Sequence, residues 1–170
     1  KHGPPKLIKN GTWPSSRPFL IFAPQSFGDF YNQDKLHSFI NYLIKNYKVD
    51  VTRIYLTGLS AGGISVWNYL AAYPNVIAAA VPISGKGIKA VNKAGCNFKN
   101  IPIWAFHGSS DTKLNMNGSI DPVQRINACS PKPNPLAKVT IYPGVAHDAW
   151  TRTYDLSGMN GNHDKNYDPF

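Results

Sequence analysis

Gly58-Leu59-Ser60-Ala61-Gly62 places a serine two residues from a glycine on each side. That spacing suits a sharp turn that lifts a hydroxyl clear of its backbone. A serine hydroxyl is a weak nucleophile at neutral pH. It needs a base to take its proton and an acid to orient that base. The order Ser, then Asp, then His along the chain offers both. Asp111 follows the apolar run Ile101–Phe106 and the residues His107–Ser110. His147 follows the run Lys138–Tyr142 and the residues Pro143–Ala146. The chemistry implied is acyl transfer: Ser60 as nucleophile, His147 as base, Asp111 as the orienting acid. The Ala61 backbone N–H, at the start of a helix, is then placed to stabilise an oxyanion.

Other readings of these residues compete. A five-residue motif of this kind arises by chance in roughly one chain in twenty of this length, given ordinary Gly and Ser usage. What raises it above chance is the strand before it and the helix after it. Asp111 could merely cap a turn. Asp148 is a rival acid, but a residue adjacent to His147 is badly placed to reach its Nδ1. His107 precedes the acid and lies too near a strand end to be the base. Trp150, just past His147, is a candidate for the wall of an acyl or sugar pocket, with core packing as the competing role. His2, His37 and His163 show no metal-ligand spacing, and His163-Asp164 reads as polar loop. No metal and no cofactor are expected.

The elements that must hold these side chains follow from hydrophobic spacing. Lys1–Pro18 is rich in Pro, Gly and Lys and reads as loop. Phe19–Ala23 is a continuous apolar run, the pattern of a strand buried on both faces. Asp34–Tyr47 carries Leu36, Phe39, Ile40, Leu43, Ile44 and Tyr47 at helical spacing. Arg53–Thr57 reads as a strand and Gly62–Tyr73 as a helix stopped by Pro74. Crowding in the turn between them is expected to require glycine at both 58 and 62. Ala78–Ser84, Ile101–Phe106 and Lys138–Tyr142 are further strands. Ile120–Cys129 is a short helix with Asp121 as N-cap and Pro122 in its first turn. Ser130–Pro135 is a loop, and Asp155–Phe170 reads as irregular. Alternating strands and helices predict an α/β fold with a mainly parallel sheet.

Composition bounds the partners. The chain has 170 residues, 42% hydrophobic and 16% charged, enough for one domain with a real core. Its net charge is +9, from 18 Lys+Arg against 9 Asp+Glu. The lysines are scattered, so a solvated basic surface explains them and no nucleic-acid signature is present. The longest apolar run, Val76–Ser84, is broken by Pro82 and is too short to span a membrane. The two cysteines, Cys96 and Cys129, form no C-x-x-C. They are either one disulfide or two buried thiols, and their loop-like context favours the disulfide. Few charges beside many aromatic residues point to a secreted or periplasmic protein.

The runs Ala23–Gln25, Arg53–Gly63, Ala80–Gly85, Pro102–Gly108 with Asp111, and Tyr142–Trp150 resemble α/β-hydrolase esterases. The resemblance is to the phospholipase/carboxylesterase-like and predicted-peptidase group, related to feruloyl and acetylxylan esterases and polyhydroxybutyrate depolymerases. It implies a serine-dependent carboxylic ester hydrolase, a carbohydrate esterase among the options, with Ser60, Asp111 and His147 as triad and Ala61 as one oxyanion donor. Its substrate would be a small-molecule or polysaccharide-linked ester. A serine peptidase on the same triad, or a non-catalytic polysaccharide-binding module, are the alternatives. The family also carries an earlier strand ending in a glycine-rich loop that supplies a second oxyanion N–H. No apolar strand precedes Phe19, and His2-Gly3-Pro4 does not fill that place. The last strand and helix after His147 are also missing. The resemblance therefore implies a partial domain over 1–170, with a companion segment or partner chain completing the oxyanion site.

Overall fold

A computed structural model of the chain describes residues 2–26, 28 and 32–161. Its centre is a four-stranded parallel sheet: β1 (Tyr55–Leu59), β2 (Ala79–Ile83), β3 (Trp104–Gly108) and β4 (Lys138–Tyr142), neighbours in that order. β1 and β2 pair from Tyr55 with Ala79 to Leu59 with Ile83, and β3 and β4 from Trp104 with Lys138 to Gly108 with Tyr142. Between them β2 and β3 meet at Ile83 with Phe106, supported by an isolated bridge from Ala80 to Ile103. Parallel strands need crossovers. These are α3 (Ala61–Ala72), α4 (Ile88–Ala94) and α5 (Asn117–Asn127). α1 (Gly3–Lys9) and α2 (Gln33–Asn46) precede the sheet, and α6 (Trp150–Tyr154) follows it.

Side chains alternate between the two faces of each strand, and the core divides accordingly. Ala80, Ala105, Val139 and Ile141 face the larger cluster, with Leu36, Trp67, Leu70 and Phe98. Ile83, Phe106 and Tyr142 face a smaller one, with Ala149 and Trp150. Of the α2 stripe, Leu36 and Ile40 are buried, Phe39, Leu43 and Ile44 are half-buried and Tyr47 is exposed; Asn32 Oδ1 caps the helix by accepting from the Asp34 and Lys35 N–H groups. No described helix is long and apolar enough to cross a membrane.

Several elements depart from their sequence reading. Phe19–Ala23 is not a strand: it is extended without ladder bonds, and Leu20 is 62% exposed. A run that is apolar throughout is buried only where neighbours cover both faces. Here Phe19 meets Tyr55 and Phe22 meets Tyr47 edge to face, Ile21 and Phe22 are half-buried, and Phe19 and Leu20 stay exposed. Within 1–18, Gly3–Lys9 is helical, because Pro4 and Pro5 occupy first-turn positions that need no N–H donor. β3 runs to Gly108, so His107 lies in the strand and is fully buried.

α5 starts at Asn117 rather than at Asp121, and Pro122 lies inside it. Proline leaves the carbonyl four residues back without its helical donor. That carbonyl, Gly118 O, accepts instead from Gly87 N–H at 2.9 Å, tying α5 to the start of α4. α4 and α6 are too short to show a periodic stripe. Cys96 and Cys129 form a disulfide, with Cα atoms 5.7 Å apart. His163 and Asp164 lie outside the described residues.

Candidate active site

Ser60 stands between β1 and α3 with φ 54° and ψ −119°. A non-glycine residue in that region is strained, and such strain persists only where the surroundings enforce it. Here its N–H donates to Ile83 O at 3.0 Å, and its own carbonyl accepts from Ile64 N–H at 3.0 Å. A Cβ on Gly58 would stand 2.4 Å from Gly62 O, so the strand side of the turn requires glycine. Gly62 does not: a Cβ there would meet nothing within 4 Å. The second crowded position is Gly63, where a Cβ would lie 2.6 Å from Ile83 O. The helix presses on β2 one residue later than the motif suggests. Ala61 is the first residue of α3, where N–H groups have no intrahelical partner.

Above the sheet, Ser60, His147 and Asp111 come together. His147 Nε2 is 2.8 Å from Ser60 Oγ, and His147 Nδ1 is 2.7 Å from Asp111 Oδ2. An ionised carboxylate only accepts, so Nδ1 carries the proton and donates to Asp111. Nε2 then holds a lone pair, and the Ser60 hydroxyl donates to it. The other carboxylate oxygen, Oδ1, accepts from the Lys113 and Leu114 N–H groups at 2.9 and 3.0 Å. Burial pushes the Asp111 carboxyl upward, but hydrogen bonds from His147, Leu114 and Lys113 outweigh it and leave it below the usual carboxylate range.

The loops that carry Asp111 and His147 are laced together. Ser109 N–H donates to Tyr142 O at 3.0 Å and Ser110 N–H to Val145 O at 2.9 Å. Gly144 N–H donates to Ser109 Oγ at 2.8 Å. The two loops approach so closely at Gly108 that a Cβ would fall 2.2 Å from Val145 O.

The chain is similar to known hydrolases. The dienelactone hydrolase family model matches residues 29–166. The chain belongs to that family. A bifunctional acetylxylan esterase/xylanase of Neocallimastix patriciarum is 36% identical over 76 residues, covering 45% of this chain and 11% of that protein. Poly(3-hydroxyalkanoate) depolymerase C of Paucimonas lemoignei is 25% identical over 149 residues, covering 67% of this chain and 36% of that one. The chain thus spans about a tenth and about a third of these relatives' lengths. Among solved structures, a thermostable esterase superposes with a TM-score of 0.60 at 28% identity, over 76% of this chain and 36% of the other. The fold of this dienelactone hydrolase family member is the α/β-hydrolase fold.

Ser84 and the link between His107 and Asp111 were not visible as such in the sequence, unlike Asp148 and Trp150. Ser84, at the end of β2, is fully buried with φ 46°, and its hydroxyl donates to the His147 carbonyl at 2.9 Å. No sequence signal marks it. His107 Nε2 lies 3.1 Å from the same Asp111 oxygen that His147 uses. Its spacing of four residues from the acid was the available clue. Asp148 bonds Thr151 through both carboxylate oxygens, at the start of α6. Trp150 is only 8% exposed and sits edge-on to the His147 ring, centroids 5.2 Å apart. It packs in the smaller core cluster, and its indole N–H has no partner among the described residues. His37 stacks on Tyr73 and lies 3.0 Å from the Tyr69 hydroxyl through Nδ1, while His2 lies edge-on to Trp150. No three His, Cys, Asp or Glu side chains among the described residues are grouped to hold a metal ion.

Proposed function

We propose that this chain carries the catalytic centre of a serine-dependent carboxylic ester hydrolase working through an acyl-enzyme. The observation behind this reading is the unbroken line Ser60 Oγ, His147 Nε2, His147 Nδ1, Asp111 Oδ2, with both links under 3 Å. Ser60 Oγ attacks the ester carbonyl carbon as His147 Nε2 takes the hydroxyl proton. Asp111 stabilises the imidazolium that forms. The Ala61 N–H, at the N-terminus of α3, donates to the oxyanion. The tetrahedral intermediate collapses, and His147 returns the proton to the departing alcohol. Water, deprotonated by the same base, then attacks the acyl-Ser60 ester and releases the acid.

The second oxyanion donor is proposed to come from a companion segment or chain seated beside β1. Acylated plant polysaccharide is the proposed substrate class, supported by the acetylxylan esterase likeness. Trp150 would support this pocket by backing the His147 ring. A secreted or periplasmic location is supported by the Cys96–Cys129 disulfide, since disulfides persist in oxidising compartments. The test is turnover of p-nitrophenyl acetate and acetate release from acetylated xylan by the full-length protein, beside a fluorogenic peptide panel and fluorophosphonate labelling. Ester turnover and labelling, both abolished in Ser60→Ala, are expected. Peptide cleavage without ester turnover would move the reading to a peptidase. Labelling unaffected by Ser60→Ala would end it.

A further inference from the structure

His107 is the one fully buried imidazole of the described residues, and every polar atom of its ring is engaged. Nδ1 lies 2.8 Å from the Ser119 hydroxyl oxygen. Nε2 lies 2.8 Å from Leu114 O and 3.1 Å from Asp111 Oδ2. A carbonyl and a carboxylate both accept only, so Nε2 must carry the proton and shares it between them. For a neutral ring, Nδ1 is then the acceptor, and Ser119 donates to it. Burial holds the ring below the ordinary imidazole range and so favours the neutral form, even with Leu114 and Asp111 opposing it. The contact with Asp111 is therefore a hydrogen bond from a neutral donor rather than an ion pair.

We propose that His107 is a positioning residue: its Nε2–H, locked in that tautomer by Ser119, fixes the Asp111 carboxylate so that Oδ2 is aimed at His147. This rests on the reading of Ser60, His147 and Asp111 given above. The carboxylate is pinned at both ends of its turn. Oδ1 takes the Leu114 N–H while His107 takes the Leu114 carbonyl, so one residue is held from both sides. Oδ2 receives two N–H groups, one from the base and one from His107. Free rotation of the carboxyl about its last bond would break both contacts at once. Ser119 sits in the first turn of α5, so the seating of that helix is transmitted through the imidazole to the acid.

The test compares His107→Asn, His107→Gln and Ser119→Ala in the full-length protein, with rates normalised to sites titrated by a fluorophosphonate. A glutamine amide reaches about where Nε2 lies and keeps a donor, whereas asparagine is too short. His107→Asn should lower kcat about ten- to a hundredfold with KM within about twofold, the size expected when a reacting group is misplaced by about an ångström. His107→Gln should recover most of that loss, and Ser119→Ala should lower kcat severalfold at constant KM. Wild-type kcat in His107→Asn, or a His107→Gln variant as slow as His107→Asn while equally folded, would overturn the proposal. ¹⁵N-histidine NMR on the wild type supplies a readout that needs no turnover. An Nε2–H tautomer is expected, and an Nδ1–H tautomer would overturn the proposal on its own. Absence of wild-type turnover would count against the esterase reading and leave the NMR result to decide this one.

Discussion

Replacing Gly108 with alanine places a methyl group where the acid and base loops touch. The added carbon would stand 2.2 Å from Val145 O and 2.3 Å from Ala146 O. A relaxed carbon–oxygen contact needs about 3.3 Å, so the site is short by about an ångström. Both obstructing atoms belong to backbone, and neither can turn aside as a flexible side chain would. The base loop must therefore move as a unit, and His147 is the next residue along it. A displacement of about an ångström at a reacting group costs on the order of a hundredfold in rate, or about 2.7 kcal/mol of barrier. The Ser110–Val145 backbone bond is stretched by the same movement, which adds about 1 kcal/mol of lost stability. The assay is kcat and KM on p-nitrophenyl acetate with titrated active sites, paired with thermal unfolding. Gly95→Ala separates stability from positioning. Gly95, the C-cap of α4, has φ 55° and ψ −132° with open space around a Cβ, so alanine there costs about 1–3 kcal/mol of backbone strain and is expected to leave kcat unchanged. A Gly108→Ala protein with kcat within about threefold of wild type would refute the claim that the contact at Gly108 sets the position of His147.

Three further outcomes follow from other contacts. Ser84→Ala removes the hydroxyl that holds the His147 carbonyl, which still accepts from Ala149 N–H at 3.0 Å; stability should fall by about 1 kcal/mol and kcat with it at unchanged KM, and unaltered values of both would show that the bond does not hold the loop. Cys96→Ser, or reduction of the wild type, opens a cross-link between residues 33 apart and should cost about 4 kcal/mol by loop-closure entropy, read by urea unfolding. Stability should also fall in acid by two steps. His107 is held below its ordinary range in the folded protein, so the unfolded chain takes up the extra proton as pH drops through about 6.5. Asp111 is lowered as well, so its contribution stands above about pH 4 and is lost below it. Thermal midpoints that stay flat from pH 8 to pH 3 would contradict both shifts.

Where a property depended on neighbours close in sequence, it was legible. Lys138–Tyr142 is a strand with the expected bounds, and α2 buries Leu36 and Ile40 from the stripe its spacing marks, with Tyr47 left exposed at its end. The strand–Ser60–helix turn follows from a local pattern. What escaped was set by groups distant in sequence. Phe19–Ala23 has strand composition but finds no ladder, because composition does not supply a partner. Gly62 has the motif's glycine yet lies in open space, while Gly63 is the residue that meets β2. Pro122 reads as a helix start, but Gly87 satisfies the carbonyl it leaves behind, so the helix can begin a turn earlier. His107 looked like a poor base, which says nothing about its value as a donor to the acid.

The support for the three site residues is uneven, and this bears on how the chemistry divides. His147 is held from β2 through Ser84, from β3 through the lacing at Gly108–Ser110, and from below by Trp150. Asp111 is held by its own turn and by a buried imidazole. Ser60, by contrast, stands at the end of β1, an edge strand of the described sheet, where Tyr55 and Thr57 are exposed. Thr57 is tied inward, its hydroxyl oxygen 2.7 Å from both Val81 O and the hydroxyl of the half-buried Tyr154, whose ionisation is pushed up to about 12 chiefly by burial. Under the proposed mechanism, activation of the serine thus draws on the crowded side of the sheet, whereas the oxyanion would form near the open edge, beside Ala61 at the start of α3. One missing oxyanion donor costs about a hundred- to a thousandfold in kcat, while proton transfer from Ser60 to His147 needs nothing beyond β1 to β4 and their loops. Under the proposed mechanism, nucleophile activation and transition-state stabilisation fall to different sides of the same sheet, and a change at the β1 edge is expected to act on the second without disturbing the first.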